Sequence, residues 1–163
     1  MSTKTLSTRF EMVQDIYGAF RVRDTARFFQ HFAENIEILQ SPDLPWGGCY
    51  RGHDEAREFL TALTAHISSS VTIERMIDSG DRVVVTGQTR GTVKANGASF
   101  DSPFAHVWTI RSGRIVRAEF YVDHRVMLPA IEAARPATEG PEDEILSNLA
   151  NEPAVEDVSA SAA

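Results

Sequence analysis

The stretch ANGASFDSPFAHVWTIRSGRIVRAEFYVD, Ala95 to Asp123, reads as two apolar strands set off by two turns. Asn96-Gly97 is the dipeptide that a two-residue type I′ hairpin prefers, because both central residues take positive φ, so the turn pairs Ala95 with Ala98. Arg111-Ser112-Gly113 suits a three-residue loop with Gly113 in the left-handed position, pairing Ile110 with Arg114. Counting from the turns sets His106 opposite Ala118 and Gly87, and Phe104 opposite Phe120 and Thr89. One face then carries Val85, Gly87, Thr89, Gly91, Phe104, His106, Trp108, Val116, Ala118, Phe120 and Val122. It is almost wholly apolar or small and calls for a cover of helices; His106 is its one titratable group. The opposite face, with Gln88, Arg90, Thr109, Arg117, Glu119 and Tyr121, is mixed and suited to solvent or a second subunit.

Upstream, Leu6, Phe10, Val13, Ile16, Tyr17 and Phe20 recur at helical spacing, which predicts a helix from about Thr5 to Val22. Asp24 caps a second helix that carries Phe28, Phe29 and Phe32 and ends near Ala33. Ile36, Ile38 and Gln40 alternate with Glu37, Leu39 and Ser41 as a short strand, and Pro42, Pro45, Gly47 and Gly48 force a loop. From His53, the pattern Ala56, Phe59, Leu60, Leu63 and Ile67 makes a third helix, and Val71 to Met76 opens a strand run that continues to Val122. The layout is α+β, with helices covering one face of an antiparallel meander. Gly87 and Gly91 on the inward face fit a bend or a close backbone approach.

A chain of 163 residues, 42% hydrophobic, holds one domain with a full core. No run approaches the roughly 18 apolar residues of a membrane span, and Met1-Ser2-Thr3-Lys4 opens no signal-peptide block, so the expected address is the cytoplasm. Cys49, the single cysteine, allows neither an internal disulfide nor a cysteine-based metal site. The net charge of −7 resides in the end of the chain: eight of the 23 acids and one of the 16 bases follow Pro129, leaving 15 of each sign before it. A neutral body argues against nucleic acid as a partner. The expected division is a pocket domain over 1–128 and an acidic tail over 129–163, disordered after about Ala134, with one conceivable short helix from Glu144 to Leu149.

Three strings carry a family resemblance: Leu44-Pro45-Trp46-Gly47-Gly48-Cys49-Tyr50-Arg51-Gly52, Pro103-Phe104-Ala105-His106-Val107-Trp108, and Gly113-Arg114-Ile115-Val116-Arg117 leading to Tyr121-Val122-Asp123. With the element order, they make the chain from about Leu6 to Leu128 resemble the SnoaL-like members of the nuclear transport factor 2-like superfamily, which includes ketosteroid isomerases, limonene epoxide hydrolases and polyketide cyclases. The resemblance implies a strongly curved sheet forming a cone, closed by three helices from the N-terminal half over one apolar cavity, and a homodimer joined through the outer sheet face. It also implies a hydrophobic small-molecule ligand and chemistry without a cofactor. The catalytic groups of those enzymes do not carry over: the isomerase base falls at Gln40, its oxyanion tyrosine at Ile16 and its protonated aspartate at His106. The arginine and two aspartates of the epoxide hydrolases fall near Gly87, Thr89 and Phe120, and the cyclase aspartate at Phe120.

The candidate catalytic residues are therefore His106, as acid or base, and Gln40, which offers one acceptor and two donors to a ligand oxygen. Substrate-lining candidates are Ile16, Phe20, Trp46, Tyr50, Thr89, Phe104, Trp108 and Phe120. His106 reads equally as a core histidine bonded to Gln40 or Tyr50. No pair of histidines has metal-ligand spacing with a carboxylate on one face, and Asp123 beside His124 reads better as a strand-end hydrogen bond, for example to Arg125, than as a dyad. Two function classes stay open: a proton-transfer isomerase, cyclase or dehydratase, and a non-catalytic small-molecule pocket or dimeric scaffold.

Overall fold

The computed structural model describes residues 3–135. Helices α1 (Thr3–Val22) and α2 (Thr25–Phe29) are followed by strands β1 (Phe32–Gln40) and β2 (Gly48–Arg51), then α3 (Gly52–His66). Strands β3 (Ile67–Ser79), β4 (Arg82–Val93), β5 (Ser99–Arg111) and β6 (Arg114–Val122) run into α4 (His124–Glu132). One six-stranded sheet has the order β2-β1-β6-β5-β4-β3. Every neighbouring pair is antiparallel except β1 with β6, and the sheet stays open, with β2 and β3 as its edges. Helix α1 packs on β3 and β4, α3 on β1, β2 and β3, and α4 on β5, so the helices share the inward face. No helix among the described residues is long and apolar enough to cross a membrane.

Three elements differ from the sequence reading. The second helix stops at Phe29, because the next residues are drawn into the sheet: the His31 carbonyl accepts the Ile115 N–H at 2.9 Å and Phe32 pairs with Ile115. The Pro/Gly loop contains the short strand β2, held against β1 by pairs such as Ile38 with Tyr50. Helix α4 continues the folded body beyond Leu128, burying Met127 and Ala130. Asp123 caps it, and Pro129 lies inside it, where proline removes an i→i−4 hydrogen bond. The proposed helix from Glu144 to Leu149 and the expected disorder fall outside the described residues.

Both hairpin registers differ from the expected ones by two residues. Ser112 and Gly113 both have positive φ (51° and 70°), so Arg111 pairs directly with Arg114 across a two-residue turn, and a bulge between Thr109 and Ile110 adds one more step. At the other hairpin only Gly97 has positive φ, and the turn is a longer loop in which the Val93 N–H donates to the Ala98 carbonyl at 2.8 Å. Asn96 is engaged elsewhere: its Nδ2 donates to the carbonyls of Ala130 (2.8 Å) and Ala133 (2.9 Å), closing the end of α4. His106 therefore faces Val85 and Phe120 instead of Gly87 and Ala118. A slip of two keeps every side chain on its face. Val116 alone departs: the bulge leaves it unpaired, along the outer depression with Arg117 and Glu119.

The inward glycines mark a close approach. A methyl on Gly87 would stand 2.0 Å from the Thr72 carbonyl oxygen, and one on Gly91 2.0 Å from that of Ser68. Backbone cannot yield as a side-chain tip does, so Gly87→Ala is expected to lower stability by about 2–3 kcal/mol, read as a reduced urea midpoint at unchanged slope. A wild-type midpoint would mean that β3 moves aside freely.

Candidate functional site

One turn of α1 aims Ile16, Tyr17 and Phe20 at the sheet, where alternation on β5 presents His106 and Trp108 and β6 presents Phe120. His106 Nδ1 and the Tyr17 hydroxyl share a hydrogen bond of 2.6 Å, and Trp108 Nε1–H donates to the same phenol oxygen at 3.1 Å. The Tyr17 and His106 rings lie parallel, while Trp108 meets both edge-on. Phe104 and Phe120 flank the imidazole at 4.2 and 4.8 Å between ring centroids.

These groups form part of the wall of a cavity of about 90 Å³, completed by Phe59, Leu60 and Leu63 of α3 and Met127 of α4. Its lining includes no Asp, Glu, Lys or Arg. His106 still touches the void, but the surroundings of its ring are aromatic, and burial pushes its pKa down to about 3. The imidazole is neutral at pH 7. Burial likewise pushes the Tyr17 phenol up, against the pull of the Trp108 hydrogen bond. The phenol therefore keeps its proton.

Of the residues expected to line the pocket, Ile16, Phe20, Gln40, Trp46, Thr89, His106, Trp108 and Phe120 do so. Tyr50 and Phe104 stand outside the lining. The Tyr50 hydroxyl donates to the Trp46 carbonyl (3.0 Å) and approaches that of Gly47 (3.3 Å), which pins the Pro/Gly loop, and its ring packs on Phe59. Phe104 is buried beside His106, with Gly87 as its cross-strand partner. Nor is His106 bonded to Gln40, whose Nε2 donates to the Phe120 carbonyl at 3.2 Å. No donor among the described residues reaches the Gln40 side-chain oxygen.

Tyr17 is the cavity-lining residue that the sequence reading does not single out. By sequence it belongs to the helix stripe, while the resemblance puts the isomerase tyrosine position at Ile16, one residue away and about 100° around the helix. The available signal was a phenol on a buried stripe, where a hydroxyl needs a partner. Asp123 behaves as expected: it accepts from the backbone N–H and guanidinium of Arg125, which lower its pKa, while His124 turns toward Asp43 at 3.6 Å. Among the described residues no group of three or more His, Cys, Asp or Glu is placed to hold a metal.

A family model described as a SnoaL-like domain matches residues 13–118. An NTF2-like protein of unknown function from Burkholderia pseudomallei K96243 superposes with a TM-score of 0.73 at 31% identity, over 82% of this chain and 100% of its own. TerC, co-crystallised with polyporic acid, gives 0.71 at 27% identity, over 77% of this chain and 99% of that one. A protein of ketosteroid isomerase-like fold from Catenulispora acidiphila DSM 44928, in complex with trimethylamine, gives 0.66 at 19% identity, over 78% and 97%. At that identity the likeness concerns the fold alone. No curated protein matches the chain.

Proposed function

The chain belongs to the SnoaL-like domain family, and from that premise we propose that its cavity takes an apolar, oxygen-bearing small molecule and moves a proton on it without a cofactor. The observation that carries this reading is the Tyr17–His106–Trp108 cluster in the cavity wall. TerC, a relative with 27% identity, was crystallised with polyporic acid, which is consistent with a ligand of this kind.

The phenol oxygen has two lone pairs and one proton. When His106 carries its proton on Nδ1, that N–H and the Trp108 N–H fill both lone pairs, and the Tyr17 O–H turns to the cavity as a donor to a ligand carbonyl. His106 Nε2, which has no partner among the described residues, is then an acceptor for a proton on the adjacent carbon. Tyr17 steadies the oxygen as negative charge develops, and the imidazolium returns the proton at a second carbon. A base held at about 3 is weak, so the substrate's C–H must be acidified, as it is between two carbonyls or beside a conjugated one. Gln40 offers its side-chain oxygen to a ligand hydroxyl.

Turnover of a nitrobenzisoxazole, which loses a carbon-bound proton to a base, tests this. The expected rate is flat from about pH 5 to about pH 8 and falls only as His106 protonates near pH 3, and His106→Ala abolishes it. Unchanged turnover in His106→Ala overturns the base assignment. The second reading, a carrier or sensor pocket, is favoured by the lack of carboxylates in the lining and expects binding without turnover.

A further inference from the structure

Phe20, Phe28 and Leu60 each border two spaces. On one side is the cavity of about 90 Å³; on the other, a groove of about 340 Å³ lies among residues of α1, α2 and α3, edged by Arg23 and Arg57. An apolar cavity of about 150 Å³ is what benzene occupies, so the inner space must widen somewhat to take even a single ring. Any larger ligand leaves part of itself outside.

A charged substituent cannot enter the inner space, whose lining offers only neutral groups, because an unpaired ion there would lose its hydration without a counter-charge. The groove has what the cavity lacks. The Arg23 guanidinium stands 5.8 Å from the centre of the Phe20 ring, and that of Arg57 stands 5.3 Å from Phe29, so both cations are held against the aromatic floor. Arg57 also meets Asp54 at 3.3 Å, an exposed and weak pair. Arg23 has no carboxylate partner among the described residues. Asp24, the acid on the groove, accepts the Arg27 N–H as the cap of α2. Arg23 also has φ +61°, directly after α1, a position usually taken by glycine because a side chain there costs about 1–2 kcal/mol. An arginine at that position places its cation at the groove in spite of the backbone cost.

We propose that cavity and groove form one two-part ligand site, in which an apolar ring enters between Tyr17 and Phe120 while a carboxylate of the same molecule rests on Arg23 and Arg57. The substrate class is then an amphipathic organic acid, and this rests on the small-molecule reading of the cavity given above.

Trp46 and Trp108 are the chain's two tryptophans and both line the cavity, so intrinsic fluorescence reports occupancy directly. Three probes are titrated into the full chain: phenol, which needs only the cavity, then phenylhexanoate and its uncharged amide. The expected result is that phenol binds and the acid binds about tenfold tighter than the amide, an advantage that salt weakens. Arg23→Asn with Arg57→Gln should abolish that advantage and leave phenol and the amide unchanged. Phenol binding with equal affinities for acid and amide, or an acid preference that survives the double substitution, overturns the groove while sparing the cavity. Failure of all three probes overturns both.

Discussion

Tyr17→Phe, a change of one oxygen atom, is expected to lower nitrobenzisoxazole turnover about a hundredfold and to destabilise the fold by about 3 kcal/mol. That oxygen is shared by two groups that have no other partner among the described residues: His106 Nδ1 at 2.6 Å and Trp108 Nε1–H at 3.1 Å. Removing it strands both within an aromatic wall, and each unsatisfied buried group costs about 1–3 kcal/mol. The loss of turnover has a separate origin, since it removes the donor aimed at the developing oxyanion. Trp108→Phe separates the two effects, because it deletes one donor and leaves the tyrosine–histidine bond. Its stability effect and that of Tyr17→Phe should not add, as the residues share one oxygen. Urea unfolding of the two single variants and the double variant measures this, and strict additivity would mean that the cluster contributes nothing as a unit.

The second large effect is on stability in mild acid. His106 is held near 3 in the fold, against about 6.5 in an unfolded chain. Below pH 6.5 the unfolded chain therefore binds a proton that the folded one refuses, and stability falls as pH falls toward the folded value. At about 1.4 kcal/mol per pH unit, the loss between pH 7 and pH 4 is about 3 kcal/mol. His106→Phe has no imidazole to titrate and should show a much flatter profile over that range. Asp15 acts lower on the scale: hydrogen bonds from Arg27 and then His31 hold its carboxyl at about 2, so its contribution is lost only as pH drops from the ordinary carboxylate range toward that value. A wild-type urea midpoint unchanged between pH 7 and pH 4 would show that His106 takes up its proton freely, and that its surroundings are wetter than the cavity wall implies.

Residues close in sequence were read more reliably than those brought together from afar. Alternation placed His106, Trp108 and Phe120 on one inward face even though the strands pair two residues away from the expected register, because the side-chain period of a strand is two. The helical stripe placed Ile16 and Phe20 correctly at the cavity for a similar reason. A helix turns by about 100° per residue, however, and the tyrosine position that the resemblance implies falls on Ile16, which leaves Tyr17 unremarked on the same stripe. Asn96 looked like a turn residue and is one, but its side chain is committed to carbonyls more than thirty positions later, which no local pattern records.

The sequence by itself therefore determined the fold class, the inward face and the greasy character of the hollow, since periodicity and turn chemistry are properties of neighbouring residues. Tertiary structure alone decided that His106 bonds to Tyr17 and not to Gln40 or Tyr50, that α4 closes over β5, and that two arginines border the same aromatic wall as the cavity. Those facts depend on how helices far apart in the chain are rotated and docked on the sheet. That docking is set by the packing of whole surfaces, of which any single stretch of sequence carries only one side.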